Sequence, residues 1–202
     1  MTNFELATHV PLIVRAPWKP RAVNASTAAF AEAVDFYPTL VELAGLPHPA
    51  SQGEDLNGTS LAPVFDDPLG AAVKDAAFSQ FSKRALTNID PKFRRNQTAL
   101  MGYSIRVEDW RYTCWFDFDN VSLVPLTGEG HSLGNELYDH RGDTGLWLDY
   151  PGENANVVAV PEYASVVREL HQRVLDYIQL RPVNVDVDVD VDVDANDHDN
   201  DK

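Results

Sequence analysis

Ala99-Leu100-Met101-Gly102-Tyr103-Ser104-Ile105-Arg106, followed by Arg111-Tyr112-Thr113-Cys114-Trp115-Phe116-Asp117-Phe118, decides how this chain folds. Both runs are rich in aromatic and branched residues, which suit a pleated, half-buried surface. Val107-Glu108-Asp109-Trp110 between them is short enough to be a turn. In the second run Tyr112, Cys114, Phe116 and Phe118 alternate with Arg111, Thr113, Trp115 and Asp117. That period of two puts the two sets on opposite faces of a sheet. The pair is predicted to be an antiparallel hairpin with one face in a core.

Downstream, Glu136-Leu137-Tyr138-Asp139 is predicted to be a further short strand. Residues 163–180 place Val167, Leu170, Val174 and Ile178 at helical spacing, with Pro182 beyond as a stop. This amphipathic helix can cover one face of the sheet. Upstream, Ala76-Ala77-Phe78-Ser79-Gln80-Phe81 is strand-like, and the polar, basic stretch 82–98 is expected to be an exposed loop.

The pattern changes towards the N-terminus. Residues 48–75 are rich in Pro, Gly, Asp and Ser, a long loop pinned to the core by Leu61 and Val64-Phe65. Residues 34–47 are predicted to hold a helix, with Asp35 as its cap, Pro38 in its first turn, Gly45 at C′ and Pro47 beyond. Tyr37, Leu40, Val41 and Ala44 share one face of it. The run His9-Val10-Pro11-Leu12-Ile13-Val14-Arg15-Ala16 reads as a strand buried on both faces, the kind found in parallel sheets. Such a strand needs neighbours, and the rest of the sequence offers none. The residues themselves therefore suggest a piece of a larger sheet protein.

With 202 residues, 44% of them hydrophobic, the chain can bury one sizeable core. No apolar run approaches the roughly 20 residues that cross a bilayer. The net charge of −15 is uneven, because residues 184–202 hold eight Asp and one Lys, which leaves −8 on the rest. An acidic body repels phosphate backbones, so no nucleic-acid partner is expected. The (Val-Asp) repeat of the tail carries one charge of one sign every second residue, which opposes packing and predicts a disordered acidic tail. It lacks the spacing and glycine of a defined calcium loop. Cys114 is the single cysteine, so no internal disulfide forms and cysteine usage does not fix a compartment. Met1-Thr2-Asn3-Phe4-Glu5 shows no basic region followed by an apolar stretch, so no signal peptide is expected.

Six segments, in order, carry a resemblance. They are Thr2-Asn3-Phe4-Glu5-Leu6-Ala7-Thr8-His9-Val10-Pro11-Leu12-Ile13; Val34-Asp35-Phe36-Tyr37-Pro38-Thr39-Leu40 with Ala44-Gly45-Leu46; Gly58-Thr59-Ser60-Leu61-Ala62-Pro63-Val64; Phe78-Ser79-Gln80-Phe81; Met101-Gly102-Tyr103-Ser104-Ile105-Arg106 with Trp110-Arg111-Tyr112-Thr113; and Glu136-Leu137-Tyr138-Asp139. Over residues 2–180 the chain resembles the C-terminal part of the sulfatase family, in the alkaline phosphatase superfamily, and its iduronate 2-sulfatase branch in particular. The resemblance implies an α/β fold. Residues 1–75 would be the C-terminal end of an alkaline-phosphatase-like α/β/α sandwich. Residues 76–182 would form a small antiparallel-sheet subdomain with a packed helix, and residues 183–202 the acidic tail. It also implies a formylglycine made from the cysteine of a C-x-P-S-R motif, a carboxylate-held calcium ion, a sulfated glycan substrate, and passage through a secretory or lysosomal path.

The sequence departs from that pattern where the chemistry should be. No C-x-P-S-R motif occurs, and Cys114 is followed by Trp115-Phe116-Asp117, so it reads as a small apolar residue on a strand face. The family's Asp-Asp pair, its other metal ligands and its lysine would all precede Thr2. No catalytic residue and no metal ligand is therefore expected in this chain, and no calcium or formylglycine is expected to be bound by it alone. Asp66-Asp67 is expected to serve a turn. The resemblance leaves His9, Lys83 and Arg84 as candidate substrate-facing residues. Arg106 and Arg111 flank the hairpin turn and are expected to pair with Glu108 or Asp109. His131, His140, His171 and His198 show no ligand spacing. Asn24, Asn57, Asn96 and Asn120 head N-x-S/T sequons.

Three functional readings follow, one of them a phosphodiesterase or another sulfatase of the same superfamily. The chain is part of a sulfatase, inactive without the missing N-terminal core; or it is a catalytically inactive binding module derived from one. Taken alone it is expected to aggregate or to be only partly folded, because the stretch 10–14 would lack its sheet neighbours.

Overall fold

The computed structural model describes residues 2–48, 51, 53, 56–84, 98–143 and 151–180. Its centre is a five-stranded antiparallel sheet. Strands β1 (Ala77–Arg84), β2 (Thr98–Arg106) and β3 (Trp110–Asp119) follow in order. The free edge of β3 is shared by β5 (Ser132–Asp139), which pairs with Trp110 to Phe116, and by the short β4 (Val124–Leu126), which pairs with Asp117 to Asp119. The predicted β2–β3 hairpin forms, with Arg106 opposite Arg111 and Tyr103 opposite Cys114. β4 has no clear alternation in the sequence and was not foreseen. Residues 82–84, expected in a loop, extend β1 by pairing with β2. The rest of that loop and the acidic tail lie outside the described residues.

One face of the sheet is the core. Ile105, Tyr112, Cys114, Phe116 and Leu137 are essentially inaccessible and pack with Leu170 and Val174 of α4 (Ala164–Gln179). The alternation in β3 and the helical spacing in α4 both meet this core as expected. Phe78 stacks on Tyr177 at 4.0 Å, and the Tyr112 hydroxyl lies 2.8 Å from His171 Nδ1, which seals the helix to β1 and β3. Gly102 serves the opposite face: a Cβ there would sit 2.7 Å from the Trp115 ring. Asn120 clips the start of β2 to the end of β3, because its amide accepts from Thr98 N–H at 2.9 Å and donates to Thr98 C=O at 2.7 Å.

Residues 2–75 wrap the outside of this unit with little regular structure: α1 (Glu5–Thr8), α2 (Phe36–Leu43) and α3 (Ala62–Asp66). The helix expected after residue 34 forms and ends at Gly45, whose φ of +66° is the left-handed stop. Its buried side differs from the expected one. Pro38, Thr39 and Val41 are buried, whereas Tyr37 and Leu40 are more than half exposed. Asp35 does not cap α2 with its side chain. Its carboxylate instead accepts from Glu32 N–H (2.7 Å), Thr59 N–H (2.9 Å) and Lys74 Nζ (2.7 Å). Lys74 also binds Glu32 at 2.5 Å, and Glu32 accepts from Phe78 N–H at 3.0 Å, so this knot fastens the wrap to the start of β1. Gly58 must be glycine here, since a Cβ would fall 1.9 Å from the Val34 carbonyl oxygen.

The strand expected over residues 9–16 does not form. The stretch pairs with no strand among the described residues, and Val10, Leu12, Ile13 and Val14 face outward, Ile13 being 92% exposed. The physical reason is the absence of a ladder partner: an extended segment cannot bury both faces or satisfy its backbone by itself. The fold described is thus mixed α/β with an antiparallel sheet, and the α/β/α sandwich is not among the described elements.

Candidate functional site: a buried ionic cluster

The face of the sheet opposite α4 carries Arg111, Thr113 and Trp115 of β3, and α1 is laid across it. Asn3 donates to the Gly102 carbonyl at 3.0 Å, and the Phe4 ring meets Tyr138 edge-on at 5.4 Å. The single turn of α1 thereby points Glu5 inward, where it is 8% exposed.

Arg111 is the hub. Its Nη2 donates to Glu5 Oε2 and, at 3.0 Å, to Thr8 Oγ1. Its Nη1 reaches Ser104 Oγ at 3.4 Å. Its Nε lies 2.7 Å from Glu153 Oε1, although that N–H is not aligned for a hydrogen bond. Arg106 Nε adds a second cation to Glu5 at 3.3 Å while its Nη1 donates to the Val107 and Glu108 carbonyls. Glu153, in the 3-10 turn Pro151–Asn154, accepts the Glu5 backbone N–H at 2.7 Å. Buried His140 stands between two carboxylates, with Nε2 3.3 Å from Glu153 Oε1 and Nδ1 3.2 Å from Asp143 Oδ2. His9 Nδ1 lies 3.5 Å from Glu5 Oε1. Four segments distant in sequence therefore meet in one buried network.

Burial is the largest single influence on the Glu5 carboxyl and opposes its ionisation. The charge and hydrogen bond of Arg111, with Arg106 and His140, outweigh it and hold Glu5 below the usual carboxylate range. Arg106 is lowered, chiefly by burial, with Glu5 opposing.

Glu5, His140 and Glu153 offer ligand atoms that lie within 4.8 Å of one another, a donor set that suits a divalent cation. The same carboxylates are already taken by Arg111. The carboxylates of Glu5, Glu153 and Asp143 are faced by two guanidiniums and the His140 ring, so protein groups already occupy them. The arrangement is an ionic lock between segments.

The sequence-named residues are placed differently from one another. His9 joins the edge of this cluster, its side chain about half exposed. Lys83 lies over the Trp115 ring, 3.9 Å from its centre, while Trp115 Nε1 donates to Glu136 at 2.9 Å. Lys83 stands six residues along β1 from Ala77, the position paired with Arg106, which is about 20 Å of strand. The structure does not bring His9 and Lys83 together. Arg84 ends β1, and its side chain is outside the described residues. Arg106 and Arg111 pair with Glu5 and Glu153, not with Glu108 or Asp109, because those acids lie in the turn while the guanidiniums reach under the sheet. Asp67 serves a turn as expected, accepting from Gly70 N–H at 3.1 Å, whereas Asp66 binds Lys19 at 2.7 Å. Glu5, His140 and Glu153 were missed. The only signal in the sequence was two arginines at strand positions whose neighbours are apolar.

Neither group that the resemblance implies fits the described residues. The Cys114 thiol is inaccessible and burial pushes its pKa up, so it is no exposed nucleophile. The one clustered set of carboxylates with an imidazole is closed by arginine.

No protein-family model matches the chain. It is 29% identical to iduronate 2-sulfatase of Mus musculus, over 68% of this chain and 32% of that protein. It is 24% identical to arylsulfatase K of Bos taurus, over 88% of this chain and 27% of that protein. A bacterial N-acetylglucosamine-6-O-sulfatase, from Bacteroides thetaiotaomicron, is 26% identical over 84% of this chain and 25% of its own length. The chain spans a third or less of each of these relatives. At this modest identity, the chain is related in sequence to the sulfatases.

Proposed function

We propose that this chain is the C-terminal part of an enzyme that hydrolyses sulfate esters, with sulfated glycans as the substrate class and an iduronate 2-sulfatase-like preference. Its first 75 residues belong to the edge of an α/β/α core, residues 76–182 form the small subdomain packed on that core, and 183–202 are an acidic tail. The observation that carries the reading is the outward-facing apolar stretch 10–14, extended and without a strand partner among the described residues, in a chain whose relatives are about three times longer. The side of α2 that exposes Phe36, Tyr37 and Leu40 enlarges that surface. The missing N-terminal core is the partner that would cover it.

In this reading the upstream core supplies the formylglycine and the calcium ion, and the chain alone is inactive. His9, at the edge of the ionic cluster, and Lys83 and Arg84, at the far end of β1, are the residues offered to an anionic sugar. The second reading, an inactive binding module, is favoured by one observation: the sheet and α4 close a core of their own. The sequence of the full-length transcript upstream of Met1 separates them. An in-frame C-x-P-S-R segment with an Asp-Asp pair is expected. A stop codon just upstream, in a transcript that is translated, would overturn the enzyme reading.

A further inference from the structure

His140 is buried and both of its ring nitrogens face carboxylate oxygens, Asp143 Oδ2 at 3.2 Å and Glu153 Oε1 at 3.3 Å. A neutral imidazole has a single N–H. Left neutral, one ring nitrogen would set its lone pair against a carboxylate lone pair in a place water does not reach. With three carboxylates against two guanidiniums, the cluster also has room for one more positive charge.

We propose that His140 is held as the imidazolium and that its proton is the bolt of a pH-sensitive clasp, which fastens α1 and the Pro151–Asn154 turn to the sheet. The charged groups facing this bolt come from every element around it. Glu153 and Asp143 touch the ring. Glu5 of α1 lies one bond further, linked through Arg111 of β3 and Glu153. Arg106 of β2 touches Glu5 and opposes further positive charge, and His9 touches Glu5 from the solvent side. When the proton leaves, Glu153 loses one of its two cationic neighbours while still accepting the Glu5 backbone N–H, and the attachment of residues 4–9 weakens. The segment so released leads straight into the apolar stretch 10–14. The clasp therefore controls how that surface is presented, whether or not the chain belongs to a sulfatase.

The sign follows from the partners. Both ring nitrogens face carboxylate oxygens, so the clasp is closed while the ring holds both protons at acidic pH and loosens when a rise in pH removes one.

The test is peptide-resolved amide hydrogen exchange of the full chain at about pH 5.5 and about pH 8.5, corrected for intrinsic exchange. Wild type is expected to lose protection of residues 4–9 by roughly tenfold or more at the higher pH, relative to the β2–β3 hairpin. His140→Gln, which keeps a donor but cannot titrate, is expected to show low protection at both values. Equal protection of residues 4–9 at the two pH values in wild type overturns the proposal, as does a His140→Gln chain that keeps the wild-type change. Should the variant not fold, the imidazole ¹⁵N shifts of His140 in wild type decide: two protonated nitrogens at about pH 6 support the clasp, and one protonated nitrogen there rules it out.

Discussion

Residues 98–180 and residues 2–48 follow opposite rules of burial. In the first region the alternating side chains of β2, β3 and β5 close against α4, and Ile105, Tyr112, Leu137 and Val174 are fully buried. In the second, twelve large apolar side chains between Leu6 and Leu46 are exposed, among them Val10, Ile13, Trp18 and Phe36. Such a concentration of apolar surface marks an interaction face. Beside a few apolar contacts such as Phe4 on Tyr138, what holds the second region in place is polar: the Arg111 hub at α1 and the Lys74 knot between Glu32 and Asp35. The sheet unit stands on hydrophobic burial, whereas its wrap is fixed by a few ionic contacts and left open on its outer side.

The comparison can be broken most forcefully at Arg111. Arg111→Met would leave Glu5 and Glu153 buried without their main cation, and a loss of about 3–5 kcal/mol is expected in denaturant unfolding. A loss below about 1 kcal/mol would mean that the wrap is not held there. Replacing Arg111 together with both acids by apolar residues of similar size should be much milder, because a buried ion pair mostly repays its own desolvation.

In the hydrophobic unit, Leu170→Ala should cost about 3 kcal/mol through lost burial and a residual cavity, read as a lowered Tm. Glu5 sharpens the contrast through pH. Its carboxyl is held below its ordinary 4.5, so its ionisation strengthens folding. That contribution is full above about pH 4.5 and is lost as the pH falls through the lower folded value. The stability gap between wild type and Glu5→Gln should therefore hold steady at neutral pH and shrink as the pH falls below about 4.5. Lys83→Met removes a cation over Trp115 at an exposed position and should cost less than about 1 kcal/mol. Smallest of all, Ile13→Ser should change stability by no more than about 0.5 kcal/mol, since its side chain touches little.

Much of the sheet unit was legible in the sequence, because the side chains of β3 and α4 that meet in the core repeat at two and near 3.6 residues. What was not legible depended on contacts between distant segments. Arg111 looked like a surface residue at a hairpin end, and only the lay of α1 across the sheet shows that Glu5, 106 residues away, is its partner. His140 has no ligand spacing to another histidine, and of its acidic neighbours Asp143 lies three residues on while Glu153 is brought in by a separate turn. The stretch 9–16 was misplaced for a different reason. Its apolar, branched composition reads as a strand to be buried, but burial needs partners, and the described residues supply none. Tyr37 and Leu40 of α2 were misplaced in the same way: the apolar face exists, and it is turned outward.

The most direct test of the account is sedimentation of the full chain over a range of concentration, beside the doubly substituted Val10→Asp, Ile13→Asp chain. If residues 10–14 are an unfilled interface, the wild type should self-associate at micromolar concentration, and the substituted chain should stay monomeric with a Tm unchanged to within about 2 °C. A wild-type chain that remains a monomer and melts cooperatively would contradict the account, because the outward apolar surface would then need no partner.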